Sequence, residues 1–107
     1  MPTVNIATEA GTQETYARPT NIPGLVITGP PSCYSITHVA SGYQVCHASI
    51  HNVNATLPQI RAAMVKASIN RSIDWTLPGD RLPFDACRAW CIRFGDYVSV
   101  PSIAQLP

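Results

Sequence analysis

Charge is what this chain has least of. Seven Lys and Arg and six Asp and Glu make up 12% of its 107 residues, about half the share usual in globular domains. The basic residues form no run, so the stripe that displaces counterions from nucleic acid is missing, and nucleic acid is not expected as a partner. The same absence argues against an electrostatic membrane surface. No apolar run approaches the ~20 residues that span a bilayer. The first twenty residues have neither a basic stretch nor an apolar core of the secretory kind, so a cytoplasmic location is expected and no membrane is implied.

Glycine-rich phosphate loops are also missing, because Gly79 and Gly95 stand alone as turn glycines. Asp74, Asp80, Asp85 and Asp96 are scattered rather than paired. Asp80 and Asp85 suit helix N-termini and Asp96 suits a turn. No nucleophile elbow surrounds any cysteine or serine.

What is present is one small apolar-rich chain, 46% hydrophobic, long enough for a single core. Residues 1–23 contain Pro2, Pro19 and Pro23 without sustained periodicity and read as an extended N-terminal arm. Residues 24–107 read as one α+β domain. Leu25–Thr28 is a buried strand stopped by Gly29-Pro30-Pro31. The β-branched and aromatic runs on either side of Ser41-Gly42 predict a hairpin. With a two-residue turn, Ala40 faces Tyr43, His38 faces Val45, Ile36 faces His47 and Tyr34 faces Ser49. Thr56 and Gln59 predict a capping box opening a helix over 57–69, with Leu57, Ile60, Met64 and Ala67 as its buried stripe and Asn70 as its terminator. This stripe is expected to pack on Val39, Cys46 and Ile50.

Pro83–Phe94 reads two ways. As a helix it places Phe84, Cys87, Cys91 and Phe94 on one stripe with Gly95 just past its end. As a strand it alternates Trp90, Ile92 and Phe94 with Cys91 and Arg93. Tyr97–Val100 reads as a strand in both cases. The expected architecture is an α+β fold, a small three- to four-stranded antiparallel sheet with one or two helices packed on one face.

Four cysteines, Cys33, Cys46, Cys87 and Cys91, would stay reduced in the cytosol and make no disulfide framework. Cys46, His47, His51, Cys87 and Cys91 supply enough donors for a zinc site, but no Cys-x₂-Cys knuckle is present. Small buried side chains are the favoured reading of Cys46, Cys87 and Cys91. No cofactor, metal or catalytic residue is therefore expected. Tyr34, His38, Tyr43 and His47 fall on one face of the predicted hairpin, where phenol and imidazole groups suit a recognition surface. Two histidines bonded to backbone are the plainer alternative. Trp75, in a polar connection, either caps the core or meets a partner.

The expected function is a small non-enzymatic interaction protein that binds and masks another macromolecule. Tyr34, His38, Tyr43, His47, Trp75 and Arg88 are its interaction residues. The partner is a protein, and the weakly charged surface also suits a homodimer. In size and plainness such a chain is like inhibitors encoded by phages and mobile elements, a likeness that no motif carries. The alternatives are a zinc-stabilised Cys/His protein and a small-ligand binder using the Tyr/His face with Arg88 or Arg93.

Overall fold

The computed structural model describes residues 3–8, 11–69 and 73–99. Its fold is α+β. Strands β1 (Thr3–Thr8), β2 (Gly11–Pro19), β3 (Leu25–Thr28), β4 (Ser35–His38) and β5 (Gln44–His47) form one antiparallel sheet in sequential order. A short helix α1 (Ala48–His51), helix α2 (Leu57–Ser68), a 3₁₀ turn (Gly79–Arg81) and helix α3 (Phe84–Ser99) follow.

The sheet has five strands rather than three or four, because the segment expected to be an arm supplies two of them. Over 3–8 and 11–16, β1 and β2 pair as a ribbon, and residues 17–19 of β2 then pair with β3. Most of the β2 side chains up to Tyr16 are exposed. The segment therefore lacks the apolar alternation that marks a half-buried strand. Arg18 anchors its end, donating from Nη1 to the Gly29 carbonyl at 2.9 Å and lying 5.5 Å from the centre of the Tyr34 ring.

The hairpin forms with a different register. His38 N–H donates to Tyr43 O, Gly42 N–H donates to His38 O, and Val39 N–H is drawn instead to Gly24 O. The loop is thus longer than Ser41-Gly42, and a bulge places Ile36 opposite Cys46 and Thr37 opposite Gln44. An inserted residue reverses the face of everything beyond it. The predicted pairings, and with them the single Tyr/His face, do not form.

Thr56 and Gln59 make the reciprocal capping box, and α2 buries Ile60, Ala63, Met64 and Ala67. The predicted terminator Asn70 lies outside the described residues. The helical reading of Pro83–Phe94 is the correct one, and the helix is longer than expected. Gly95 and Asp96 lie within α3, as do Tyr97 to Ser99, which were predicted as a turn and a strand. Gly95 is needed for a close approach, since a Cβ there would lie 2.7 Å from His51 Cε1. Without this packing partner in view, a glycine followed by aspartate reads as a stop.

The two helices cross-link through side chains to each other's backbone. Arg93 donates from Nε and Nη2 to Ala67 O at 3.1 and 3.0 Å, satisfying a carbonyl at the C-terminal end of α2. Trp90 Nε1 donates to Ser68 Oγ, which donates in turn to Met64 O. Beneath them Leu25, Ile27 and Ile36 of the sheet join Trp75, Trp90 and Phe94 in one core. Val39 and Ile50, expected against α2, are 43% and 76% exposed. On the opposite face of the sheet Thr28 and Thr37 are buried and their hydroxyls are hydrogen-bonded at 2.9 Å. Ile6 and Thr15 of the ribbon share a small cavity with both threonines.

Candidate functional site

His38 ends β4 on the helix side of the sheet and is 2% exposed. Nε2 lies 2.8 Å from the Trp75 carbonyl, which can only accept, so Nε2 carries the proton. Nδ1 then accepts from the Ser41 hydroxyl at 2.7 Å, and Ser41 Oγ also receives the Tyr43 N–H. Gly24 lets the Trp75 backbone come this close. It has φ +91°, and a Cβ there would sit 2.3 Å from the Trp75 oxygen. Both imidazole nitrogens are thus committed, which fits a structural histidine better than a general base.

His38 is the inner end of a groove of about 890 Å³. Ser41, Tyr43, Gln44 and Val45 of the hairpin form one wall; Gly79, Asp80 and Leu82 form another; Phe84, Cys87, Arg88 and Cys91 of α3 form the third. The lining is mostly apolar. Tyr43 and Phe84 stand at its rim, 67% and 74% exposed. The N-terminal turns of α3 face this opening, while α2 meets the helix further on, at Trp90 and Arg93, and the buried residues Trp90, Phe94, Gly95 and Val98 lie from there to the end. The arginines 18, 61 and 93 each donate to a backbone carbonyl. Arg88 is exposed, and its guanidinium makes no hydrogen bond among the described residues.

Three thiols lie at the floor and behind it. Cys91 Sγ donates to Val45 O at 3.4 Å. Interaction with the Cys91 thiol drives the Cys46 titration upward, with burial adding to the effect. The same interaction holds Cys91 below the ordinary thiol range. Burial, and then the neighbouring Cys91 charge, push Cys87 up. Among the described residues no fourth donor joins these thiols. His47 accepts the Ile50 N–H through Nδ1 as the cap of α1, and His51 lies against Gly95. Among the described residues no group of three or more His, Cys, Asp or Glu has metal-binding geometry.

The six residues singled out from sequence are therefore dispersed. His38, Tyr43 and Arg88 meet at the groove. Tyr34 is 8% exposed beneath Arg18 and Trp75 is 3% exposed, packed edge-on against Trp90 with ring centres 5.3 Å apart. His47 is occupied with the α1 cap. Phe84, Val45 and Leu82 were missed as site residues. Phe84 had been assigned to the buried stripe, and only the position of α2 exposes it. Asp74 is held below the usual carboxylate range by hydrogen bonds from the Thr76 hydroxyl and N–H. These bonds close a local turn away from the groove. No described helix is long and apolar enough to cross a membrane. No family model matches this chain, and neither a curated protein nor a solved structure is significantly similar to it.

Proposed function

We propose that the protein acts by binding rather than by chemistry, holding an apolar segment of a protein partner in the groove between the β4–β5 turn and the first half of α3. The observation that carries this reading is the groove itself. It is an opening of about 890 Å³ with largely apolar walls, Tyr43 and Phe84 exposed at its mouth, and an exposed Arg88 that makes no hydrogen bond among the described residues. Large aromatic side chains beside an arginine are the groups that concentrate binding energy at protein interfaces. The Arg88 charge favours a segment that carries a carboxylate. Masking of the bound segment makes the protein an inhibitor or accessory factor in character, and a second copy of the chain is one such partner.

The test places a photo-crosslinking residue at position 84 in the full chain and a control at Ile69, which is 70% exposed at the C-terminal cap of α2. Irradiation in extract of the source cells is expected to give a discrete protein adduct from position 84 alone, lost when Arg88 is also changed to Ala. An adduct of twice the chain mass would identify a second copy as the occupant. Equal adducts from both positions, or none, would overturn the reading. One alternative draws on a specific observation: the groove volume falls within the range of small-molecule pockets. Native mass spectrometry showing a bound small molecule, together with a failed crosslink, would favour it.

A further inference from the structure

We infer that Cys46 and Cys91 form a peroxide-reactive thiol pair, in which Cys91 meets the oxidant through the groove and Cys46 closes a disulfide joining β5 to α3. This inference does not depend on what the groove binds. Cys91 lines the groove, so a small polar oxidant has a path to its sulfur. That sulfur lies 3.4 Å from the carbonyl of Val45, the residue before Cys46, which fixes α3 against β5 at this level. Cys46 is the next residue along β5, and each thiol shifts the titration of the other, so the two cysteines are neighbours where α3 meets β5.

The neighbouring thiols are poorer partners. Cys87 is one turn away on the same helix, and residues at that spacing hold their Cβ atoms about 5–6 Å apart, well beyond the mean of about 3.8 Å in disulfides. Cys33 is exposed on the turn between β3 and β4 and lines no part of the groove. The roles within the pair follow from access. Cys91 lines the groove and Cys46 does not, so Cys91 is the thiol that the oxidant reaches, and its titration is held low while that of Cys46 is raised.

The chemistry balances with a peroxide as the two-electron oxidant. The Cys91 thiolate attacks one peroxide oxygen, the O–O bond breaks, and Cys91 becomes a sulfenic acid as hydroxide leaves. Cys46 sulfur then attacks Cys91 sulfur, the S–O bond breaks, and the oxygen departs as water. The two thiol protons end in the two waters formed, and a thiol reductant restores both cysteines.

The experiment treats the full chain bearing Cys33→Ser with hydrogen peroxide and measures intact mass without reductant. Trypsin cleavage after Arg88 and Arg93 then releases residues 89–93, with Cys91 as their one cysteine. The peptide ending at Arg61 carries Cys46 alone. The expected result is a mass lower by two hydrogens, residues 89–93 linked to the peptide that ends at Arg61, and full reversal by dithiothreitol. In a Cys46→Ser background Cys91 should instead stop as a sulfenic acid that dimedone traps. A bond through Cys87, or oxygen added equally to all three cysteines, would overturn the proposal. So would an unchanged mass where the urea-unfolded chain oxidises. The peptide linkage stands as a test even if Cys46→Ser fails to fold.

Discussion

The two halves of α3 are continuous in sequence and opposite in fate. The later part, from residue 90 onward, buries Trp90, Phe94, Gly95 and Val98. There Trp90 stacks on Phe94 with ring centres 5.4 Å apart, and the indole N–H finds Ser68 Oγ. The earlier part, residues 84–88, leaves Phe84 and Arg88 exposed and covers Cys87 only in part, and Cys91, one residue past Trp90, is likewise part-covered. Both halves carry large apolar side chains at helical spacing. What separates them is α2, which meets the later part through Ser68 at Trp90 and Ala67 at Arg93 and supplies no residue to the groove beside the earlier part. Amphipathicity shows which residues want cover, and it does not show which of them receive it.

The most direct way to break this contrast is Trp90→Ala. Removing a buried indole from a packed site costs about 3–5 kcal/mol, and the Ser68 hydroxyl loses its donor as well. Urea denaturation should show a large drop in midpoint, and a small drop would mean that the closed half is not core. His38→Phe probes the boundary between the halves. It keeps an aromatic ring beside Trp75 but strips partners from the Trp75 carbonyl and the Ser41 hydroxyl. Burial of a polar group without its partner costs about 1–3 kcal/mol, and the same denaturation measurement checks it. A His38→Phe variant as stable as the parent would show that the two hydrogen bonds are replaced by water. Phe84→Ser should move stability least, by under about 0.5 kcal/mol, as expected for an exposed side chain with no special contact. Its thermal midpoint should stay at the parent value. A large loss would place Phe84 in the core and remove the groove's outer rim.

Several elements were legible from residue order because their cause is local. The Thr56–Gln59 capping box needs only its own four residues, and it appears where the sequence placed it. Gly29-Pro30-Pro31 ends β3 for a reason contained in those residues. The α+β class followed from such pieces. The misread elements had causes elsewhere in the chain. Gly95 looked like a helix stop, and its role is to admit the His51 ring. β2 up to Tyr16 carries no apolar alternation, and that of β1 is limited to Val4 and Ile6, too short a signal to announce a paired ribbon. The hairpin register turned on Val39 N–H choosing Gly24 O, a partner fifteen positions away.

The candidate site divides in the same way. Residue types pointed to His38, Tyr43 and Arg88, and these three share the groove. They meet there through the path of the 3₁₀ turn and the angle of α3, and the predicted single face of the hairpin contributes nothing, since it does not exist. Helical periodicity alone placed Cys87 and Cys91 one turn apart, which argues against a bond between them. Only the packing of α3 on β5 set Cys91 against Cys46. Short-range chemistry of the backbone and its caps is written in consecutive residues. Contacts between distant segments depend on how helices and sheet share one core, and this chain made its groove from the part of α3 that its core left uncovered.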